Sequence, residues 1–167
     1  MPYIPQEQRP EIDVIVDPIV ERISVVDNYL VARWLNYVIL RIAKGVRDGM
    51  PESTPDPLDV DLDPLIEMLN AAGDNDEIVG RLNYALSRIM WGLCGHCGKG
   101  VRRYARMNVV DSAIGLAQDE FRKCAVSPYD DRMYAVDGAI GLAQAEFRRR
   151  MVAPYEDEKI ETSGDIG

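Results

Sequence analysis

The chain has 167 residues, with Lys+Arg 19 against Asp+Glu 28, one His, three Cys and a formal net charge of −9. This length suits a single domain spanning 1–167, and 47% hydrophobic with 28% charged residues is ordinary globular composition, which excludes bulk disorder. The acidic balance argues against bulk nucleic-acid binding, which relies on neutralising phosphates. No run approaches the roughly 18 apolar residues of a membrane span, and so few cysteines point to a reducing, cytoplasmic setting.

The opening MPYIPQEQRPEID lacks a basic region followed by an apolar block, so no secretory signal is expected there. Asp17-Pro18 looks like a helix start, an Asp cap with Pro at the first helical position, and predicts a short helix over 18–26. A long helix follows over 28–47, where Val31, Leu35, Val38, Ile39, Ile42 and Val46 share one face. Residues 48–57 (DGMPESTPDP) read as a polar, Pro-rich linker.

The pattern then begins again. Asp63-Pro64 opens a second short helix over 64–72, stopped by Gly73, and Asp74 can cap a second long helix over 75–93. Leu35-Asn36-Tyr37 matches Leu82-Asn83-Tyr84, so 11–47 and 58–93 are two copies of a first module. A Gly-rich joint (GLCGHCGKG, 92–100) leads into the back half. There VDSAIGLAQDEFRKCAVSPYDD (110–131) and VDGAIGLAQAEFRRRMVAPYED (136–157) are identical at about 15 of 22 paired positions. These are two copies of a second module, 102–131 and 132–157, each with one helix (102–126 and 132–152). Their stripes are Val110, Ile114, Ala117, Phe121 and Val136, Ile140, Ala143, Phe147; Ser127-Pro128 and Ala153-Pro154 should end them. Residues 158–167 read as a loose acidic tail. The expected fold is an all-α helical bundle of about six helices with internal pseudo-twofold symmetry, a fused pseudo-dimer.

The start MPYIP, the LNY of the helix, and the ending APYEDEKI followed by SGDI resemble a family of short uncharacterised proteins from bacteria, archaea and phages. Its members begin like Met1-Pro2-Tyr3-Ile4-Pro5, carry GDLNYV-type and IGVLE-type helices, and finish like Ala153-Pro154-Tyr155-Glu156-Asp157-Glu158-Lys159-Ile160. The resemblance implies a small soluble protein, in the host cytoplasm where a phage encodes it. It implies no activity. Relatives with each module once would assemble as dimers, which this chain mimics alone; further self-association is left open.

Polar residues kept in both copies are the best functional lead. Tyr37 and Arg41 share a helix flank, and Tyr84 and Arg88 repeat the pair. Asp111, Gln118 and Arg122 fall within about 40° on a helical wheel with Gly115 beside them, and Asp137, Gly141, Gln144 and Arg148 reproduce the stripe. Arg grips phosphate or carboxylate through paired donors, Tyr stacks on a base, and Gly admits close approach. The sharp reading is a non-enzymatic site for a small anionic, nucleotide-like ligand. Tyr37 and Tyr84 would stack, Arg41, Arg88, Arg122 and Arg148 would hold the anion, and Asn36, Asn83, Gln118 and Gln144 would select. One central pocket could take a ligand with two similar ends, and in a phage this would sequester a host signalling nucleotide. The bland reading is a structural or protein-interaction module in which these residues pair with each other.

Other constellations are weaker. Cys94, His96, Cys97 and Cys124 resemble a zinc knuckle, but three of them crowd four residues, and no metal or cofactor is expected. A redox CxxC lacks its βαβ context. Asp59, Asp61 and Asp63 suggest a calcium loop that Pro64 and Asn70 spoil, so capping and helix-dipole roles are expected instead. Glu120 and Glu146 could hold magnesium across the axis, as in a Mg-dependent all-α nucleotide pyrophosphohydrolase. Arg102-Arg103-Arg106 and Arg148-Arg149-Arg150 are basic clusters in an acidic chain, read as dipole partners or a phosphate patch.

Overall fold

The computed structural model of the chain describes residues 4–52, 54–95, 101–124 and 130–164. Among them there is no strand, and the architecture is an all-α helical bundle. A 3-10 turn at Gln6–Gln8 leads into α1 (Arg9–Ser24), α2 (Asn28–Asp48), α3 (Pro57–Asn70), α4 (Asn75–Gly95), α5 (Val101–Cys124) and α6 (Asp131–Phe147); a π turn over Arg148–Val152 continues α6 into α7 (Ala153–Ser163).

Capping aspartates set four of the starts. Asp27 Oδ1 accepts from Leu30 N at 3.0 Å, Asp56 Oδ1 from Leu58 N at 2.8 Å, Asp74 Oδ1 from Glu77 N at 2.8 Å and Asp130 Oδ1 from Met133 N at 2.8 Å. Gly49 ends α2 at φ +90°, a backbone conformation that favours glycine.

The short helices start earlier than Asp-Pro predicts. Pro18 and Pro64 lie inside α1 and α3, and Pro10 and Pro57 occupy the first-turn positions instead. An interior Pro leaves the carbonyl four residues back without its helical donor. Those carbonyls belong to Val14 and Val60, which are 73% and 54% exposed, so they sit on the solvent side. Asp59, Asp61 and Asp63 are therefore helical residues rather than caps. Ala153-Pro154 also fails to stop the chain: the wider π turn places Pro154 in the first turn of α7, where its missing N–H costs nothing, and the acidic residues through Glu161 are helical.

The stripes pack as expected. Val31, Leu35, Val38, Ile39, Ile42 and Val46 are buried, as are Val110, Ile114, Ala117 and Phe121 and their twins Val136, Ile140, Ala143 and Phe147. The main pairings are α2 with α5 and α4 with α6, while α1 packs against α4 and α3. The first-module copies do not close on themselves. A Cβ on Gly92 of α4 would lie 2.6 Å from Val20 Cγ1 of α1, and a Cβ on Gly45 of α2 would lie 2.7 Å from Ile66 Cγ2 of α3. Each short helix thus presses an aliphatic side chain into a glycine notch on the other copy's long helix. No helix among the described residues is long and apolar enough to cross a membrane.

Candidate functional site

The Tyr–Arg pairs reinforce these crossings. Tyr37 donates its hydroxyl to Asp59 Oδ1 at 2.6 Å, Arg41 Nε lies 3.1 Å from the same oxygen, and Thr54 donates to Asp59 Oδ2. Asp59 is 3% exposed. Burial alone would raise its pKa, but the Thr54 and Tyr37 hydroxyls and the Arg41 charge outweigh it, and the carboxyl titrates below its ordinary value. Burial, and then the hydrogen bond to Asp59, raise the Tyr37 phenol. Arg41 Nη2 also approaches Asp63 Oδ1 at 3.5 Å. In the other copy Tyr84 donates to Asp13 Oδ1 at 2.8 Å, and Arg88 Nε lies 2.9 Å from that oxygen.

The second-module stripes meet face to face. Gln118 Nε2 donates to the Asp137 carbonyl at 3.0 Å, and Gln144 Nε2 to the Asp111 carbonyl at 3.1 Å. Arg122 forks onto the Asp137 carboxylate at 2.8 and 3.2 Å, and Arg148 onto Asp111 at 2.7 and 3.1 Å. Gly115 and Gly141 leave room for the facing glutamine: a Cβ at either would stand 3.2 Å from its Nε2. These four predicted site residues therefore hold α5 and α6 together.

The ten predicted residues do not converge on one central pocket. Asn36 borders a groove between α2 and α5, and Tyr37 borders a shallow cavity with Arg22, Arg33 and Trp34. Asn83, Tyr84 and Arg88 come together at a third place. There a cavity of about 280 Å³ is lined by Arg9 of α1, by Asn83, Tyr84, Ser87, Arg88 and Trp91 of α4, and by Glu146 and Arg150 at the end of α6. The spacing on α4 puts positions one and two turns apart on one face, so the helix presents amide, ring, hydroxyl, guanidinium and indole in a row.

The charges in this cavity are unequally engaged. Arg88 is paired with Asp13, and Arg150 Nε lies 2.7 Å from Glu146 Oε2. Hydrogen bonding from Arg149 holds the Glu146 carboxyl below its ordinary pKa; burial, the next-largest effect, opposes it, and the charges of Arg149 and Arg150 and the Arg150 hydrogen bond add to the lowering. Arg9 differs. Its guanidinium carbon sits 5.6 Å from the centre of the Tyr84 ring, its Nε is buried without a hydrogen-bond partner, and among the described residues it makes no ion pair. A buried donor left open in this way is costly unless a ligand or water completes it.

The remaining sequence candidates fall elsewhere. Cys94 is buried and Cys124 exposed, whereas His96 and Cys97 lie outside the described residues. Among the described residues no three His, Cys, Asp or Glu side chains cluster for a metal. Glu120 is exposed, and Glu146 carries Arg149 and Arg150. The side chain of Arg102 is outside the described part. Arg106 is buried and donates to the Val26 carbonyl at 3.2 Å, just beyond the end of α1, where a cation complements the helix dipole.

A family model described as "Domain of unknown function (DUF6899)" matches residues 1–140 and, separately, residues 132–166. The chain belongs to this family. The two matches overlap over residues 132–140. No curated protein and no solved structure matches.

In this member of the DUF6899 family, four polar or aromatic residues of the cavity have no like residue in the other copy: Arg9, Ser87, Trp91 and Arg150. Aligned through Asp17/Asp63 or Tyr37/Tyr84, as the copies are, Arg9 falls opposite Pro55, Ser87 opposite Leu40 and Trp91 opposite Lys44; Arg150 falls opposite Cys124. A comparison that keeps only what both copies share discards all four. The available signal was the opposite one: aromatic and basic residues present in only one copy.

Proposed function

We propose that this protein is a non-catalytic binder of a small anionic, nucleotide-like ligand, held in the cavity between α1, α4 and the turn after α6. The observation that carries this is Arg9: a guanidinium against an aromatic face, with a buried open donor, beside Arg88, Arg150 and Trp91. Such a set holds a phosphate-like group through forked donors and a flat ring by stacking. Glu146 there is already bound to Arg149 and Arg150, which suits holding better than chemistry. Within this reading the protein acts in the cytoplasm, and where a phage encodes it, by sequestering a signalling nucleotide. The test is titration calorimetry with mono-, di- and cyclic nucleotides. Arg9→Gln should weaken binding about 10- to 100-fold, the cost of one charged hydrogen bond, with the melting temperature kept. No binding by any of the panel would end the proposal.

The α5–α6 contact favours a second reading, a structural or interaction module, for Gln118, Arg122, Gln144 and Arg148. We infer further that the halves are related by a pseudo-twofold axis. The support is the exchange of matched partners: Asp13 with Tyr84 as Asp59 with Tyr37, Val20 with Gly92 as Ile66 with Gly45, and Gln118 with Asp137 as Gln144 with Asp111. A crystal structure in which α3, α2 and α5 fail to superpose on α1, α4 and α6 would refute the axis.

A further inference from the structure

We infer that the cavity takes one ligand per chain, consisting of one phosphate-like group and one planar ring, and that it has no counterpart in the other copy. This rests on the anion-binding reading above and narrows it to a nucleoside monophosphate class of ligand. On this inference the cavity takes a one-ended ligand in place of the two-ended one expected from the duplication.

The argument is the register of the repeat. The partner exchanges align Asp13 with Asp59 and Val20 with Ile66, and likewise Tyr84 with Tyr37, Arg88 with Arg41 and Gly92 with Gly45. In that register Arg9 becomes Pro55, Trp91 becomes Lys44, and Arg150 becomes Cys124. The matched positions keep the tyrosine and one arginine but lack the other two guanidiniums and the indole; the cavity beside Tyr37 is lined instead by Arg33, Trp34 and Arg22, the last already paired with Asp61. What it keeps is also spent differently. Thr54, next to Pro55, donates to Asp59, and Arg41 reaches both Asp59 and Asp63. Asp13 receives Tyr84 and Arg88, and its side chain stays 30% exposed against 4% for Asp59. Duplication therefore supplied the frame twice, and only one copy carries Arg9, Trp91 and Arg150 around it.

Size points the same way. The cavity is about 280 Å³, at the lower edge of the roughly 300–1,000 Å³ typical of small-molecule sites. This suits a single base and phosphate. Arg9 lies over the Tyr84 ring, and Trp91, 41% exposed, leaves a face for stacking.

The test is calorimetry on the full chain with adenosine and guanosine 5′-monophosphate, inorganic phosphate and a cyclic dinucleotide. One monophosphate should bind per chain. Phosphate alone should bind about tenfold or more weakly, because stacking on one ring contributes roughly 1–3 kcal/mol. Trp91→Ala should weaken the nucleotide but not phosphate; Arg150→Gln should weaken both; Arg33→Gln, beside Tyr37 in the other copy, should change neither. Each variant's melting curve checks that it is folded. Two monophosphates per chain, loss of binding in Arg33→Gln, or a cyclic dinucleotide that binds more tightly than either monophosphate would overturn the single-site inference while leaving anion binding intact. If no probe binds at all, the anion-binding reading falls first and this one with it.

Discussion

Gly92→Ala sets two effects of opposite sign against each other. In a helix interior Ala is favoured over Gly by about 1 kcal/mol, so propensity alone predicts a more stable protein. The added Cβ, however, would sit 2.6 Å from Val20 Cγ1, 3.0 Å from its Cγ2 and 3.4 Å from its Cβ. Relaxed carbon contacts lie near 3.5–4.0 Å, so the overlap approaches 1 Å. Val20 cannot swing aside, because a β-branched side chain on a helix has one strongly preferred rotamer. Relief must come from moving α1 off α4, and α1 is tied down about two turns away by Asp13 to Tyr84 and Arg88. Overpacking of this kind costs about 1–3 kcal/mol. The net expectation is a loss of about 1 kcal/mol, or roughly 2–4 °C in melting temperature for a chain of this size. Val20→Ala alone should also destabilise, by about 2 kcal/mol, through lost burial and a cavity. Combined, the two should cost less than their sum by about 1–2 kcal/mol. Thermal melts and urea titrations of wild type, both singles and the double give that coupling. A Gly92→Ala protein that melts higher than wild type, or strict additivity, would refute the notch.

Three further outcomes follow from the paired networks. Tyr37→Phe should cost about 1–3 kcal/mol and Tyr84→Phe about 0.5–1, because the first takes one of three partners from an almost fully buried carboxylate that water cannot reach and the second leaves Asp13 reachable by water; equal losses in urea unfolding would contradict this. Asp59 titrates below its ordinary value, so its stabilisation is fully present above the unfolded carboxylate range and disappears as pH falls through the depressed folded value. Urea midpoints between pH 6 and pH 3 should therefore fall less steeply in Asp59→Asn than in wild type, and parallel slopes would count against the assignment. Gln118→Ala and Gln144→Ala should cost nearly the same, about 1 kcal/mol each, since their hydrogen bonds to Asp137 and Asp111 match within 0.1 Å; a threefold disparity in chemical denaturation would show that the two contacts are not equivalent.

Much of the fold was legible because helical period and capping are local. The stripes of α2, α5 and α6 are buried as their spacing requires, and Asp74 caps α4 as its position before Asn75 suggests. The misplaced boundaries share one cause. As local signals Asp-Pro and Ala-Pro punctuate helices, but Pro18 and Pro64 are tolerated where the orphaned carbonyl faces water, and Pro154 where a π turn hands the chain on. Whether a carbonyl faces water is a property of packing, and a one-dimensional string does not carry it. The candidate site was half legible. Asn83, Tyr84 and Arg88 stand out in the sequence because both copies hold their equivalents, whereas Arg9 and Trp91 occur in one copy alone and carry no repeat signal.

By itself the amino-acid order determined that the chain is helical, that it is written in doubled modules, and which faces of its long helices turn inward, since each of these depends on residues within a few turns of one another. Tertiary structure decided the exchange of partners: α1 lies on α4 and α3 on α2, so each Asp answers a Tyr–Arg pair from the other copy. It also decided which retained residues are spent on contacts and which face a cavity. The physical reason is range. A helix follows from neighbours three and four positions away, whereas the choice of which glycine notch receives which aliphatic side chain is made between segments tens of residues apart, by fit and desolvation that no local pattern encodes.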